Sequence, residues 1–86
     1  MARLSEKVAI VTGSGQGVGL GIARALAREG AAIVIAEINP ETGPAAAREI
    51  EEIGGRAVDV LCDVAKHEDV EKTVQAAISA PIMLLL

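Results

Sequence analysis

Three short apolar runs punctuate the chain, each followed by a stretch whose apolar positions recur at helical spacing. Lys7-Val8-Ala9-Ile10-Val11 is a run of strand formers stopped by Thr12-Gly13. Without polar alternation, it predicts a strand buried on both faces, as in parallel sheets. From Gly17 the period changes. Val18, Ile22, Ala25 and Leu26 stand at i, i+4, i+7 and i+8, which predicts a helix packing through that stripe and closing at Gly30. "AAIVIA", residues 31 to 36, predicts a second buried strand, broken by Glu37-Ile38-Asn39-Pro40.

A second helix carries Ala46, Ile50 and Ile53 on one face, with Glu49, Glu51 and Glu52 largely on the other. Pro44 fits only a first turn, so this helix starts near Thr42 or Gly43, and Gly54-Gly55 ends it. "RAVDVLC", Arg56 to Cys62, predicts a third strand, and the charge of Asp59 in its middle places that strand at the sheet edge. After a turn over Asp63 to His67, a third helix carries Val70, Val74, Ala77 and Ile78 until Ser79-Ala80-Pro81 stops it. The closing "IMLLL", residues 82 to 86, is open to two readings: a shortened fourth strand beside the first, or a divergent apolar tail. The order β-α-β-α-β-α implies an α/β fold with a parallel sheet.

Size and composition narrow the function classes. Eighty-six residues make one small domain with a modest core, and the absence of Phe, Tyr and Trp makes that core aliphatic. A net charge of -4 argues against nucleic acid as a partner. One Cys and one His form neither a disulfide nor a structural zinc site, so no metal is expected. The four-residue run Val8 to Val11 is too short for a signal peptide, and no run approaches the ~18 apolar residues of a membrane span. A soluble, cytoplasmic protein is the expectation.

The candidate chemistry lies in "TGSGQGVGLG", residues 12 to 21, where Gly13, Gly15, Gly17, Gly19 and Gly21 occupy alternate positions. A P-loop needs a Gly-Lys pair, and there is no lysine between Lys7 and Lys66. The strict G-x-G-x-x-G fingerprint fails in each frame, its third glycine falling on Val18, Leu20 or Ile22. Two looser patterns fit: G-x-G-x-G, as in S-adenosylmethionine-dependent methyltransferases, and T-G-x-x-x-G-x-G. The first expects an acidic residue where Val11 stands; the second expects a run such as "VAIVTG", which residues 8 to 13 provide.

With these flanks, residues 3 to 78 resemble the opening portion of the short-chain dehydrogenase/reductase family. "RLSEKVAIVTGSGQGVGLGIARALAREGA" resembles its first β-α unit (with Glu6 where glycine is commoner), "VIAEINPETG" its second strand and turn, and "CDV" at 62 to 64 its adenine-contacting Asp-Val. The resemblance implies a Rossmann-type dinucleotide-binding half over residues 1–78, with residues 79–86 diverging. It also implies an oxidoreductase that moves hydride between a nicotinamide and a carbonyl or alcohol. The implied cofactor contacts are Gly13, Ser14, Gln16, Gly17, Val18, Gly19, Glu37, Asp63 and Val64.

The physics of those positions is independent of the family. A pyrophosphate is favoured by free N–H groups and the dipole at a helix N-terminus, and side chains at Gly13 or Gly17 would block its approach. Gly19 lets the helix pack on the first strand, Gly15 stands where the family often has Ser, and Gly21 is read as close helix packing. Glu37, at the end of the second strand, suits the adenosine ribose hydroxyls and repels a 2′-phosphate. Residues 36 to 40 hold no Arg or Lys, so NAD is expected over NADP. Asp63 has a competing role as a helix N-cap, Cys62 reads as a small core residue, and His67 as a solvated one.

The family's catalytic Tyr, with a Lys four residues later and a Ser, is a proton donor matched to alkoxide. This chain has no tyrosine, so no catalytic residue is assigned. The expectation is a chain truncated before its active site, inactive alone, with an unfinished sheet edge that is a predicted association liability. A non-catalytic nucleotide-binding or interaction module is the alternative, and a methyltransferase fragment a weaker one.

Overall fold

The computed structural model describes residue 4 and residues 7–78 and 82–85. Expectations placed on Glu6, on Ser79-Ala80-Pro81 and on Leu86 lie outside the described residues. The elements run β1 (Lys7–Thr12), α1 (Gly17–Arg28), β2 (Ala32–Glu37), α2 (Thr42–Glu52), β3 (Arg56–Leu61), α3 (His67–Ile78) and β4 (Ile82–Leu85). They form one parallel sheet in the order β3-β2-β1-β4. Parallel neighbours cannot be joined by a hairpin, so each crossing is made by a helix. The chain steps outward from β1 to β3 and then returns to the far side of β1. That reversal opens a crevice at the carboxyl end of β1.

The unbroken apolar runs of β1 and β2 are explained by two cores, one on each face. Ala9, Val11, Ile33 and Ile35 point to the side covered by α1 and α2, where Ala23, Ala27, Ala46, Ala47 and Ile50 meet them. Val8, Ile10, Val34 and Ala36 point to the other side, against Cys62 and Ala77. Strand residues alternate faces, so a strand covered twice has no place for a polar side chain. β3 is the edge strand anticipated from Asp59, and its residues are exposed or half-buried. An Arg24–Glu49 ion pair ties α1 to α2.

The face by which α1 packs differs from the predicted stripe. Val18 is 82% exposed and Ile22 42%, whereas Ala23 and Ala27 are buried and Gly19, Leu20 and Leu26 half-buried. The reason is distance. Gly19, Ala23 and Ala27 recur every four residues and let the helix approach the sheet closely, which the branched side chains of Val18 and Ile22 would prevent. Ile53 and Ile78 are also largely exposed, and buried Thr73, whose hydroxyl donates to the Asp69 carbonyl at 2.9 Å, supplements Val74 and Ala77 on α3.

Candidate functional site

The five alternate glycines occupy the turn from β1 into α1, and they differ in what holds each one glycine. Gly13 and Gly17 have φ of +60° and +64°, the left-handed region that side chains rarely adopt, and no atom lies within 4 Å of where a Cβ would be. At Gly19 a Cβ would collide with the Gly13 carbonyl oxygen and lie 3.0 Å from Ser14 Cα, so α1 rests directly on the turn. At Gly15 a Cβ would meet side chains, lying 2.6 Å from Thr42 Oγ1 and 2.8 Å from Glu37 Cγ. At Gly21 it would meet nothing. The close packing expected of Gly21 is therefore incorrect: it points away from the core, exposed.

The turn is fixed from beneath. Gly13 N–H donates to the Ala36 carbonyl at 2.9 Å, tying the end of β1 to the end of β2. Ser14 is fully buried, and its hydroxyl donates to the Val11 carbonyl at 2.5 Å. Its side chain is thus engaged in holding the turn. Gln16 is the N-cap of α1 but contributes no side-chain bond to it, and the first turn holds no acidic residue. Among the described residues nothing caps the first N–H groups of α1, and Gln16, Gly17 and Val18 are exposed around them. Such an end attracts an anion.

Glu37 closes β2 and its carboxylate folds back over this turn. Oε1 accepts from Gly15 N–H at 3.2 Å, and Oε2 from Asn39 N–H at 3.3 Å and Thr42 Oγ1 at 3.4 Å. Asn39 in turn accepts with Oδ1 from Glu41 and Thr42 N–H, at 2.8 and 3.2 Å, which organises the entry to α2. Neither Asn39 nor Thr42 was anticipated. An Asn before Pro near a helix start is a recognisable capping signal, but nothing in the sequence connects Thr42 to Glu37.

Asp63 lies four residues before α3, so it is not the N-cap of that helix. It forms a local turn instead, Oδ1 accepting from Ala65 N–H at 2.9 Å, while its own N–H donates to Asp69 Oδ2 at 3.0 Å. Asp69 sits in the first turn of α3 and reaches back, satisfying a backbone donor and placing a carboxylate at the positive helix end. Its role was also unforeseen. His67 is exposed and paired with Glu71 at 2.8 Å, one turn along the helix.

These elements converge at the carboxyl ends of β1, β2 and β3. Gly13, Glu37, Asp63 and Val64 line one open cleft of about 150 Å³, with Ala36, Ile38 and Cys62 completing its wall. Gln16, Gly17, Val18 and Gly19 lie outside that lining, on the adjoining helix end. A larger cavity of about 320 Å³ lies at the opposite, amino ends of the strands, near Val8, Ala32 and Arg56. None of the predicted site residues lines it, and ligands of open α/β sheets bind at the carboxyl ends. Chemically the carboxyl-end cleft offers an apolar wall, two fixed carboxylates and an uncapped helix start. That suits a ligand with a flat ring, hydroxyls and an anionic group in succession.

Known proteins resemble this chain in sequence and fold. The family model for short chain dehydrogenase matches residues 7–82. A 4-formylbenzenesulfonate dehydrogenase of Comamonas testosteroni is 45% identical over 76 residues, covering 88% of this chain and 30% of that protein. The 7α-hydroxysteroid dehydrogenase of Escherichia coli K12 is 36% identical over 77 residues, covering 90% and 30%. A solved 7α-hydroxysteroid dehydrogenase, complexed with NADH and 7-oxo glycochenodeoxycholic acid, superposes with a TM-score of 0.89 at 34% identity, covering 96% of this chain and 33% of that one. The chain thus spans about 30% of the length of these curated relatives.

Proposed function

The chain belongs to the short-chain dehydrogenase family, and on that premise we propose that it is the NAD-binding portion of an oxidoreductase that moves hydride between the nicotinamide and a carbonyl or alcohol. One observation carries the reading: Gly13, Glu37, Asp63 and Val64, distant in sequence, line a single cleft beside an uncapped helix start. The residues fit the group. Left-handed Gly13 and Gly17, with open space where side chains would stand, let a pyrophosphate approach the backbone at α1. Gln16, Val18 and Gly19 complete that helix end, and Ser14 holds the turn from below.

Glu37 takes the adenosine ribose hydroxyls and rejects a 2′-phosphate, because a carboxylate accepts from a hydroxyl and repels a second anion. Asp63 and Val64, which line the cleft with Ala36 and Ile38, would flank the adenine. When bound, the nicotinamide would supply the site that gives or takes hydride. The part given to these residues is to bind and orient the cofactor. Among the described residues no helix is long and apolar enough to cross a membrane.

Calorimetric titration with NAD, NADP and S-adenosylmethionine tests the assignment. NAD is expected to bind tightest, with NADP weaker by tenfold or more, roughly the effect of one unfavourable charge contact. NADP binding tighter than NAD would overturn the role given to Glu37. Binding of S-adenosylmethionine alone would overturn the cofactor class.

A further inference from the structure

Gly15 has no conformational reason to be glycine. Its φ lies outside the left-handed region that Gly13 and Gly17 occupy, and it lies before α1, where helix packing makes no demand. What its missing Cβ leaves room for is the Glu37 side chain, whose Cγ and Cδ lie 2.8 and 2.9 Å from where that atom would be. Thr42 Oγ1 borders the same space, at 2.6 Å. Gly15 N–H and Thr42 Oγ1 then bond opposite oxygens of the one carboxylate.

We propose that Gly15 and Thr42 are positioning residues that lock the Glu37 carboxylate over the glycine turn, and that this lock sets the discrimination between a free ribose hydroxyl and a 2′-phosphate. The proposal rests on the assignment of Glu37 to the adenosine ribose. A glutamate at the end of a strand has three rotatable bonds, and an untethered one would swing aside to admit a phosphate. Rejection therefore needs a carboxylate that cannot retreat. Here retreat breaks bonds to Gly15, Asn39 and Thr42 together. Holding the side chain in advance also removes the ordering cost of binding a hydroxyl. A carboxylate accepts at about four lone-pair positions. Oε2 receives two donors and Oε1 one, so Oε1 retains a position for the ligand.

The test compares NAD and NADP dissociation constants by calorimetry for the full chain and for Gly15→Ala, Thr42→Val and Thr42→Ser. Gly15→Ala intrudes on the carboxylate's space and Thr42→Val removes one donor. Each is expected to lower the ratio Kd(NADP)/Kd(NAD) roughly tenfold, the scale of one hydrogen bond to a charged group. Thr42→Ser should restore it. Mere damage to the fold weakens both ligands alike and leaves the ratio unchanged. An unchanged ratio with NAD still binding overturns the proposal alone, whereas a chain that binds neither dinucleotide overturns the underlying reading and the proposal with it. A second measurement needs no ligand: the Gly15 amide resonance should move in Glu37→Gln, and its indifference to that change would refute the lock.

Discussion

Two glycines of α1, two residues apart, should respond to the same substitution with opposite signs. Gly21 is exposed, helical and surrounded by open space, so Gly21→Ala adds a side chain that touches nothing. Its effect is the helix-propensity difference, a stabilisation of about 0.5–1 kcal/mol. For a domain of this size that raises Tm by roughly 2–8 °C. Gly19→Ala carries the same propensity gain but drives a methyl into the Gly13 carbonyl and within 3.0 Å of Ser14 Cα. Both obstacles are backbone, so no rotamer change relieves them and α1 must lift from the turn. Overpacking of this kind costs about 1–3 kcal/mol, leaving a net loss near 1 kcal/mol and a Tm lowered by roughly 4–8 °C. Urea and thermal unfolding followed by far-ultraviolet circular dichroism measure both, since a chain without Phe, Tyr or Trp offers no intrinsic fluorescence. If Gly19→Ala proves as stable as Gly21→Ala, the direct seating of α1 on the glycine turn is wrong.

Other substitutions probe the site's supports. Ser14→Ala removes a buried donor to the Val11 carbonyl and should cost about 1 kcal/mol by urea unfolding; an unchanged midpoint would deny the hydroxyl its role. Asp69→Ala removes the acceptor for Asp63 N–H and should cost about 1 kcal/mol, with faster amide exchange at Asp63 as its local signature. Ile50, with none of its surface exposed, should lose about 1 kcal/mol as Ile50→Val and 2–5 kcal/mol as Ile50→Ala, the latter enough to unfold most of so small a domain.

The strands were legible because their signal is binary. A segment covered on both faces excludes polar side chains, and Val8–Val11 and Ala31–Ala36 contain none. Asp59 marked the edge for the converse reason. The turn was legible too, since left-handed backbone at Gly13 and Gly17 restricts which residues stand there. The packing face of α1 was not. Hydrophobic periodicity weights Val18 and Ile22 above Gly19, Ala23 and Ala27, but close approach to a sheet favours the smaller set. The constraint on Gly15 was not legible either, because it comes from Glu37, twenty-two positions away. Asp69 was hidden likewise: a carboxylate in a first helical turn is ordinary, and only the folded loop brings Asp63 N–H to it.

The strand order also dictates a schedule. β1 pairs on one side with β2, Val8 meeting Ala32, and on the other with β4, where Lys7 meets Ile82. Closing the second contour, about three times longer, costs about 1 kcal/mol more chain entropy than closing the first. Of the two seams that complete the centre of the sheet, the local one is therefore expected to zip first, leaving β1 with a bare flank until the most remote segment arrives. Pulse-labelled refolding should protect the amides of Ile33 to Ile35 before those of Met83 to Leu85.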